Sequence, residues 1–269
     1  MAIKAGVYFV DIIKSPMNYS GNKHYAVGAI KEHFPDNVDT FHDLFCGGCD
    51  IIANVGYRRR IANDSNIRYI EIYKAMQESP DPISYIEKSI FAGSLTKTDE
   101  EAFEKFAKRY NTMSKKNRNP LDLYILICFS RNYAPKFDSR GHYIAPMGRG
   151  RNSFNPSMKK NMEDFLPRIK RVEFTSLDYK KYPFDSLTSH DFLYCDPPNV
   201  FQKNDWTEED DQKLFGILAN LSTRGVRFAL SSFASYKGTE NTALMDWVQN
   251  GYIVRDIEEE TGEVLITNY

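Results

Sequence analysis

Hydrophobic positions along the chain follow two periods, and the period predicts the local structure. Short apolar runs predict β-strands, and apolar residues spaced three or four apart predict helices. The predicted strands are VDTFHDLF, RRRIAND, RVEFTS, DFLYCD, RFALSS, YIVRDI and EVLITNY, and the helices that alternate with them are YAVGAIKEHF, DIIANVGY, TEEDDQKLFGILANLS and TENTALMDWVQN. This alternation predicts an α/β fold with a doubly wound, mostly parallel sheet.

The middle of the chain has a different pattern. Helical spacing continues through IRYIEIYKAMQ, ISYIEKSIFAG and TDEEAFEKFAKRY, which Thr98 and Glu101 would open as a capping box, and LDLYILICFS follows as an apolar segment. From Arg131 to Pro156 the sequence is rich in Gly, Pro, Asn, Ser and Arg, which predicts an irregular basic loop region. We therefore predict a sheet domain of residues 1–65 and 170–269, with residues 66–169 inserted as a helical domain.

Charge separates the same two parts of the chain. Residues 105–171 carry 16 Lys and Arg against four Asp and Glu, while the remaining residues carry 19 against 32. The net charge of the whole chain is only −1, because the basic middle and the acidic remainder nearly cancel. A basic middle in an otherwise acidic chain indicates a module that meets a polyanion, most simply nucleic acid, although a solvated basic face is the alternative.

The composition excludes several classes of protein. No apolar run approaches the ~18 residues of a membrane-spanning helix, and the N-terminal segment does not resemble a signal peptide, so we expect an intracellular protein. Cysteines 46, 49, 128 and 195 are too scattered for a disulfide framework, and the C-x-x-C pair lacks two further zinc ligands. Buried thiols are favoured over a redox dithiol, and we expect no metal.

Two stretches near the N-terminus indicate a ligand site beyond the strands' carboxyl ends. In DLFCGGCDIIAN, from Asp43 to Asn54, a strand, a glycine turn and a helix follow one another, and Asp64 ends the next strand. A carboxylate there can bind the two hydroxyls of a ribose. NYSGNK precedes the first helix and either cradles an anionic group or forms an ordinary loop.

The stretch YCDPPNVF places a carboxylate and two prolines directly after an apolar strand. Asp196 can accept a hydrogen bond from an amino group, and the carbonyl of Pro197 can accept a second one. Proline holds φ near −65°, so Pro197 and Pro198 fix the direction of that carbonyl. Two acceptors aimed at one NH₂ group favour a nucleophilic geometry at its nitrogen; a structural turn is the alternative.

Together these stretches resemble the Dam-type DNA adenine-N6 methyltransferases, which use S-adenosylmethionine. NYSGNK, DLFCGGC, IAND, DPPN and EVLITNY follow the order of that family's motifs through nearly the whole chain. The resemblance implies a Rossmann-like methyltransferase sheet and a target adenine flipped out of double-stranded DNA. It assigns catalysis to Asp196, Pro197 and Pro198. It assigns cofactor contacts to Tyr19, Lys23, Asp43, Phe45, Gly47, Asp64, Phe174 and Asp196.

The segment FSRNYAPKFDSRGHYIAPMGRGRNSFNP is similar to the family's target-recognition segment. The resemblance predicts DNA contacts there, with simple phosphate positioning as the alternative for each residue: Arg131, Asn132, Lys136, Arg149 and Arg151. At Lys136 the family often has Arg, which reads guanine more rigidly. We expect a monomer or a weak dimer that acts in the cytoplasm of a bacterial or phage-infected cell.

The chain departs from the family most clearly at Asn199. The family has an aromatic residue there that stacks on the flipped base, and such stacking contributes ~1–3 kcal/mol per base. The family also has further residues before the helix start WTEED and between YIVRDI and EVLITNY. We hypothesise that two active-site loops are absent from this sequence and that Asn199 matches a later Asn of the family. A catalytically silent homologue, or methylation of cytosine N4, are the alternatives.

Overall fold

A computed structural model describes residues 11–201, 206–258 and 261–269. The chain divides into two compact units. Among the described residues, the sheet unit comprises residues 11–12, 22–65, 171–201, 206–258 and 261–269, and the helical unit comprises residues 13–21 and 66–170. Residues 13–21, predicted to belong to the sheet domain, group with the helical unit, and Ile13 and Met17 among them are buried. The Tyr124 hydroxyl also donates a hydrogen bond to the Pro16 carbonyl at 3.1 Å.

The described residues of the sheet unit form a seven-stranded sheet and a small hairpin. The strands are β1 (Thr40–Asp43), β2 (Arg59–Asn63), β3 (Val172–Thr175), β4 (Asp191–Cys195), β5 (Arg227–Phe233), β6 (Ser235–Tyr236), β7 (Thr239–Glu240), β8 (Ile253–Glu258) and β9 (Glu263–Thr267). The sheet order is β3-β2-β1-β4-β5-β9-β8, in which β9 runs antiparallel to both of its neighbours and the other pairs are parallel. The predicted doubly wound, mostly parallel α/β sheet is confirmed.

Helices occur in both units of the described chain. They are α1 (Val27–Lys31), α2 (Asp50–Asn54), α3 (Ile67–Glu78), α4 (Pro82–Ala92), α5 (Glu100–Thr112), α6 (Pro120–Phe129), α7 (Pro156–Ile169), α8 (Glu208–Thr223) and α9 (Thr242–Val248). Helix α2 is shorter than DIIANVGY suggested, because Val55 already has extended backbone angles (φ −105°, ψ 147°). Helix α7 and the β6–β7 hairpin were not predicted. No helix in the described residues is long and apolar enough to cross a membrane.

The sheet is apolar where it is covered on both faces. All of β9 and four of the five residues of β4 are buried, as expected for strands that read as continuous apolar runs. Leu193, Phe228 and Leu230 pack with Leu214 and Leu218 of α8 in one core cluster. The central strands therefore give their polar terminal residues a rigid support.

In the helical unit, polar caps set where each helix begins. Before each of the five helices α3 to α7, an Asn or Asp side chain accepts a backbone N–H of the first turn: Asn66, Asp81, Asp99, Asn119 and Asn155. The capping box predicted for Thr98 and Glu101 is wrong, because Asp99 accepts the Ala102 N–H instead. LDLYILICFS is a helix, buried from Leu121 to Phe129, and forms the core of this unit.

Candidate active site

Carboxylates gather where the strand order reverses between β1 and β4. Asp43 ends β1, Asp64 follows β2 and Asp196 follows β4, and the three parallel strands end at the same edge of the sheet. Asp50, the first residue of α2, adds a fourth carboxylate. We call Asp43, Asp50, Asp64 and Asp196 the acidic edge. A reversal of strand order is where doubly wound sheets bind their ligands.

Electrostatics at the acidic edge favour a positively charged ligand. Asp43 is 2% exposed, and its Oδ1 atom has no hydrogen-bond partner among the described residues. Burial, reinforced by the charges of Asp196 and Asp64, raises the pKa of Asp43 well above its usual range. A cation placed among these carboxylates would relieve their mutual repulsion and the cost of burying them.

Lys23 forms ion pairs with two carboxylates at this site. Its Nζ atom lies 3.0 Å from Asp196 Oδ1 and 3.0 Å from Glu263 Oε1. Glu263 is fully buried, and its other oxygen accepts a hydrogen bond from the Tyr25 hydroxyl. Burial opposes the charged form of Lys23, but Asp196 and then Glu263 outweigh burial and raise the pKa of Lys23. The ammonium therefore stays charged between two carboxylates.

Asp196 is held near the point where it can gain or lose a proton. Burial raises the pKa of Asp196 to about 6, although Lys23 favours the ionised form. The nearby Glu263 and Asp50 charges add to the rise. The side chain nevertheless keeps 19% of its surface exposed, so it is not sealed inside the protein. An accessible carboxylate with this pKa can accept hydrogen bonds from a substrate near neutral pH.

The glycine turn after β1 is tied to the acid after β2. Gly47 has φ +43° and Cys49 has φ +63°, and the Gly47 N–H donates to Asp64 Oδ2 at 3.0 Å. Asn63 stabilises the same edge, because its Nδ2 group donates to the carbonyls of Leu44 (3.1 Å) and Leu177 (2.9 Å). Three loops after three strands are thereby fixed to one another.

The two cysteines of the glycine turn are buried and reduced. Burial, together with the hydrogen bond to Cys49, raises the pKa of the Cys46 thiol well above its usual range. A thiol that resists ionisation is a poor nucleophile and a poor metal ligand. In the described residues, no group of three or more His, Cys, Asp and Glu side chains is arranged to hold a metal ion.

Three further predicted cofactor residues have aromatic or strand contacts within their own units. The Phe45 ring packs against Tyr179 and Trp206, with centroids 5.7 Å away in both cases. Phe174 is buried on β3, opposite Ala62 of β2. Tyr19 belongs to the helical unit, where its ring meets Tyr69 edge-on at 5.4 Å. Cofactor contacts for these three side chains stay predictions.

Four of the five predicted DNA-contact residues line one recess in the helical unit, which we call the basic recess. Its volume is about 410 Å³, and it is lined by Glu100, Arg131, Asn132, Met147, Gly148, Arg149, Arg151 and Asn152. Arg149 forms an ion pair with Glu100. Lys136 is not part of the lining; it is exposed, and its carbonyl accepts the Ile144 N–H at 2.9 Å.

The backbone around the basic recess is unusually constrained for a region without regular structure. Asn132 and Tyr133 both have positive φ, 58° and 55°, which is uncommon for residues with a Cβ atom. At Gly148 an added Cβ would lie 2.9 Å from the Ser130 carbonyl oxygen, so glycine is needed there. The segment predicted as an irregular loop therefore has a defined shape.

The sequence profile of the D12 class N6 adenine-specific DNA methyltransferases matches residues 19–260. The chain belongs to this family. Type II methyltransferase M.FokI of Planomicrobium okeanokoites is 37% identical over 283 residues, and modification methylase StsI of Streptococcus sanguinis is 35% identical over 284 residues. The DNA adenine methylase of Serratia marcescens is 23% identical over 251 residues, which cover 89% of each chain.

The match to M.FokI covers 96% of this D12-family chain but 43% of M.FokI, and StsI gives the same two values. The chain thus spans less than half the length of these relatives. The aligned stretch of M.FokI is also longer than the chain, at 283 positions against 269 residues. M.FokI therefore carries residues inside that stretch that have no counterpart here. The two absent loops are hypothesised around Asn199 and Glu260; Asn199 is described, whereas Glu260 and the nearby residues 202–205 and 259 lie outside the described residues.

Sequence reasoning missed Glu263, Tyr25 and Asn63 as parts of this D12-family site. Glu263 begins the apolar strand EVLIT and is 0% exposed. An acid that opens a fully buried strand needs a partner, and that signal was present in the sequence. Asn63 directly precedes the predicted Asp64 and was not itself predicted as a site residue.

Proposed function

We propose that this chain transfers a methyl group from S-adenosylmethionine to the N6 atom of adenine in a short sequence of double-stranded DNA. The observation that carries the proposal is the position of Asp196. It directly follows the buried strand β4, which pairs with the strand before the glycine turn, and it is ion-paired to Lys23 and followed by Pro197 and Pro198. Membership of the D12 family favours adenine N6 over cytosine N4 as the acceptor.

The acidic edge suits the proposed cofactor. When bound, S-adenosylmethionine supplies an electrophilic methyl group on a positively charged sulfur. Asp43 offers a buried carboxylate oxygen without a hydrogen-bond partner among the described residues, and its carboxylate neighbours favour a cation. Asp64 stands at the end of β2, where a carboxylate can bind ribose hydroxyls. Gly47 lets the backbone approach closely.

Asp196 and Pro197 act on the acceptor amine. The ionised Asp196 carboxylate accepts one N–H of the amine, and the Pro197 carbonyl accepts the other. With both hydrogens held, the nitrogen lone pair is directed toward the methyl group. The new bond from nitrogen to the methyl carbon would replace the bond from sulfur to that carbon, with S-adenosylhomocysteine as the neutral leaving group. Asp196 takes the proton that the amine loses, for which a pKa of about 6 is suitable near neutral pH. Lys23 keeps the carboxylate ionised before this transfer.

The helical unit supplies contacts to DNA in this proposal. Arg131, Arg149 and Arg151 present exposed guanidinium groups around one recess, which suits phosphate oxygens or guanine edges. The adenine must leave the duplex before its amine can reach Asp196, because a paired base is stacked inside the helix. The names of the relatives M.FokI and StsI favour a modification role beside a restriction enzyme.

A second candidate function is a homologue that binds cofactor and DNA without catalysis. Asn199 favours it, because an amide side chain offers less stacking surface to a flipped base than an aromatic ring does. The two candidates differ in one measurable respect, which is the transfer of the methyl group.

Methyl transfer is measured with radiolabelled S-adenosylmethionine and unmethylated genomic DNA, followed by long-read mapping of modified bases. We expect N6-methyladenine within one short motif, and the Asp196→Ala variant serves as the negative control. Label on cytosine N4 would overturn the choice of acceptor. Absence of label with retained DNA binding would replace the proposed enzyme by the silent homologue.

A further inference from the structure

The side chain of Asn199 stabilises the turn that follows the two prolines. Its side-chain Oδ1 atom accepts the backbone N–H of Phe201 at 3.1 Å, which closes an Asx-type turn directly after the two prolines. The turn places an aromatic residue two positions beyond the one where the family has its own. The aromatic ring that position 199 lacks is thus supplied nearby in the chain.

Phe201 belongs to a short row of aromatic rings, which we call the aromatic shelf: Phe201, Tyr236 and Phe233. Phe201 stacks on Tyr236 with ring centroids 5.8 Å apart and planes 24° apart. Tyr236 meets Phe233 edge-on at 6.1 Å. All three rings are partly exposed, so the shelf is accessible from outside the sheet unit.

The β6–β7 hairpin holds the shelf in place. Lys237 and Gly238 at its tip both have positive φ, 50° and 81°, as a tight two-residue hairpin turn requires. The Ala234 N–H donates to the Gly262 carbonyl at 2.9 Å, which joins the hairpin to the start of β9. An added Cβ on Gly262 would lie 2.5 Å from the Ser235 carbonyl oxygen, so this close approach requires glycine.

Lys23 connects the shelf to Asp196. The Lys23 Nζ atom lies 5.6 Å from the centre of the Phe233 ring and 3.0 Å from Asp196 Oδ1. Phe233 ends β5, which lies beside β4 in the sheet, so the row begins next to the acid and extends away from it. At the middle ring of the row, Lys237 Nζ lies 5.2 Å from the centre of Tyr236 and adds a positive charge beside the stacked pair.

We propose that Phe201, supported by Tyr236, stacks on the DNA base whose amine is held by Asp196. This inference rests on the proposed function, because it names the surface that receives the flipped base. The Asx turn at Asn199 directs Phe201 to that task, and Lys237 is placed to meet a neighbouring phosphate. A planar ring supported by a second ring is a surface on which any base can stack.

The test compares Phe201→Ala, Phe201→Tyr and Phe184→Ala with the unmodified chain. Phe184 is the matched control, because it is also a partly exposed phenylalanine of the sheet unit, packed against Tyr182 at 5.4 Å. We expect Phe201→Ala to lower kcat/KM for DNA methylation by about 10- to 100-fold, as the loss of one stacked base predicts. Phe201→Tyr keeps the ring and should retain the rate.

A second readout needs neither turnover nor a known target sequence. A duplex that carries 2-aminopurine opposite an abasic site presents an unpaired fluorescent base in any sequence. Stacking on an aromatic ring quenches this base, so we expect brighter bound 2-aminopurine with Phe201→Ala than with the unmodified chain or Phe184→Ala. Thermal melting of each variant checks that it is folded.

The outcomes test base stacking on Phe201 separately from the proposed methyl transfer. Equal bound fluorescence for the folded Phe201→Ala variant and the unmodified chain would overturn the shelf, and so would an equal methylation rate. If the unmodified chain transfers no methyl group, the proposed function fails. The fluorescence comparison then still decides whether Phe201 stacks on a base.

Discussion

The acidic edge of the sheet unit and the basic recess of the helical unit use charge in opposite ways. At the acidic edge, Asp43 is buried at the end of β1 and its pKa is raised by burial and by the charges of Asp196 and Asp64, while the buried Glu263 beside this edge raises the pKa of Asp196. In the basic recess, Arg131 and Arg151 are exposed on irregular backbone. Buried charges interact strongly because the surrounding dielectric constant is low, whereas exposed charges are screened by water and salt.

The difference between buried and exposed charges predicts which property each substitution should change. A change at the acidic edge should alter the chemical step and its pH dependence. A change in the basic recess should alter DNA affinity and its salt dependence, with the chemical step preserved.

Removal of the Asp196 carboxylate should have the largest effect. We expect Asp196→Asn to lower kcat for methylation by about 10²- to 10⁴-fold, the range for loss of a positioned proton acceptor. DNA affinity should change little, since the basic recess is untouched. Single-turnover methylation with saturating DNA measures the chemical step directly.

The exposed Asp185→Asn variant is the matched control for that experiment, because it removes the same charge away from the acidic edge. It should methylate at the unmodified rate. Methylation by Asp196→Asn at the rate of this control would contradict the assignment of Asp196.

Substitutions of Lys23 and of Glu263 should shift the pH profile in opposite directions. The pKa of Asp196 is about 6, so activity should fall as pH decreases through that value and the carboxylate is protonated. Lys23 lowers the pKa of Asp196, so Lys23→Gln should move the acid limb of kcat to higher pH. Glu263 raises it, so Glu263→Gln should move the limb to lower pH.

Because each substitution also leaves a buried partner, both should lower the maximal rate by roughly 10-fold, as expected for a misplaced catalytic group. Opposite shifts of the acid limb are the sign that Lys23 and Glu263 act through Asp196. Shifts in the same direction, or none, would leave Glu263 with a purely structural role. Stopped assays at fixed ionic strength from pH 5 to 8 cover the range.

The sequence was sufficient to predict most of the sheet, for a physical reason. Strands such as DFLYC and EVLIT are buried on both faces, so their apolar runs are unmistakable. Helix starts were less certain. Thr207 caps α8 in a capping box with Asp210, whereas Asp99 stands between Thr98 and Glu101 and takes the cap that was predicted for Thr98.

The acidic edge was partly predictable because parallel strands end at the same side of a sheet. Asp43 is the last residue of β1, and Asp64 and Asp196 directly follow the last residues of β2 and β4. Glu263 was missed because β9 is antiparallel, which brings its first residue to that same side, opposite Phe233 of β5. Strand direction depends on pairing between distant segments, and local sequence patterns do not contain it.

Substitutions in the basic recess should weaken DNA binding by a moderate, salt-dependent factor. We expect Arg151→Ala to raise Kd about 3- to 10-fold at low salt and to reduce the slope of log K against log salt by about one phosphate contact. Arg149→Ala should cost less, because Glu100 already compensates the charge of Arg149. Glu100→Gln should therefore tighten binding.

Fluorescence anisotropy with duplex DNA at several salt concentrations measures these affinities, and Lys213→Ala on α8 of the sheet unit is the matched control. Its charge is also exposed and paired, with Glu209 at 2.7 Å. An unchanged salt slope in Arg151→Ala would remove the basic recess from the DNA interface. If Arg151→Ala also lowered the methylation rate at saturating DNA, the basic recess would affect the chemical step. That result would contradict the separate roles of the two regions.

Cys46→Ser should have the smallest effect, although Cys46 lies in the glycine turn next to the acidic edge. The thiol is buried, and its pKa is raised above the usual range, so it is not a thiolate near neutral pH. Serine has a similar shape and keeps a hydrogen-bonding group, so we expect methylation within about threefold of the unmodified rate.

The thiols of the native protein should also react slowly with a disulfide reagent, and fully only after unfolding. Loss of activity in a folded Cys46→Ser variant would instead show that a thiol takes part in the chemistry, and the carboxylates would then not be sufficient to explain this edge of the sheet.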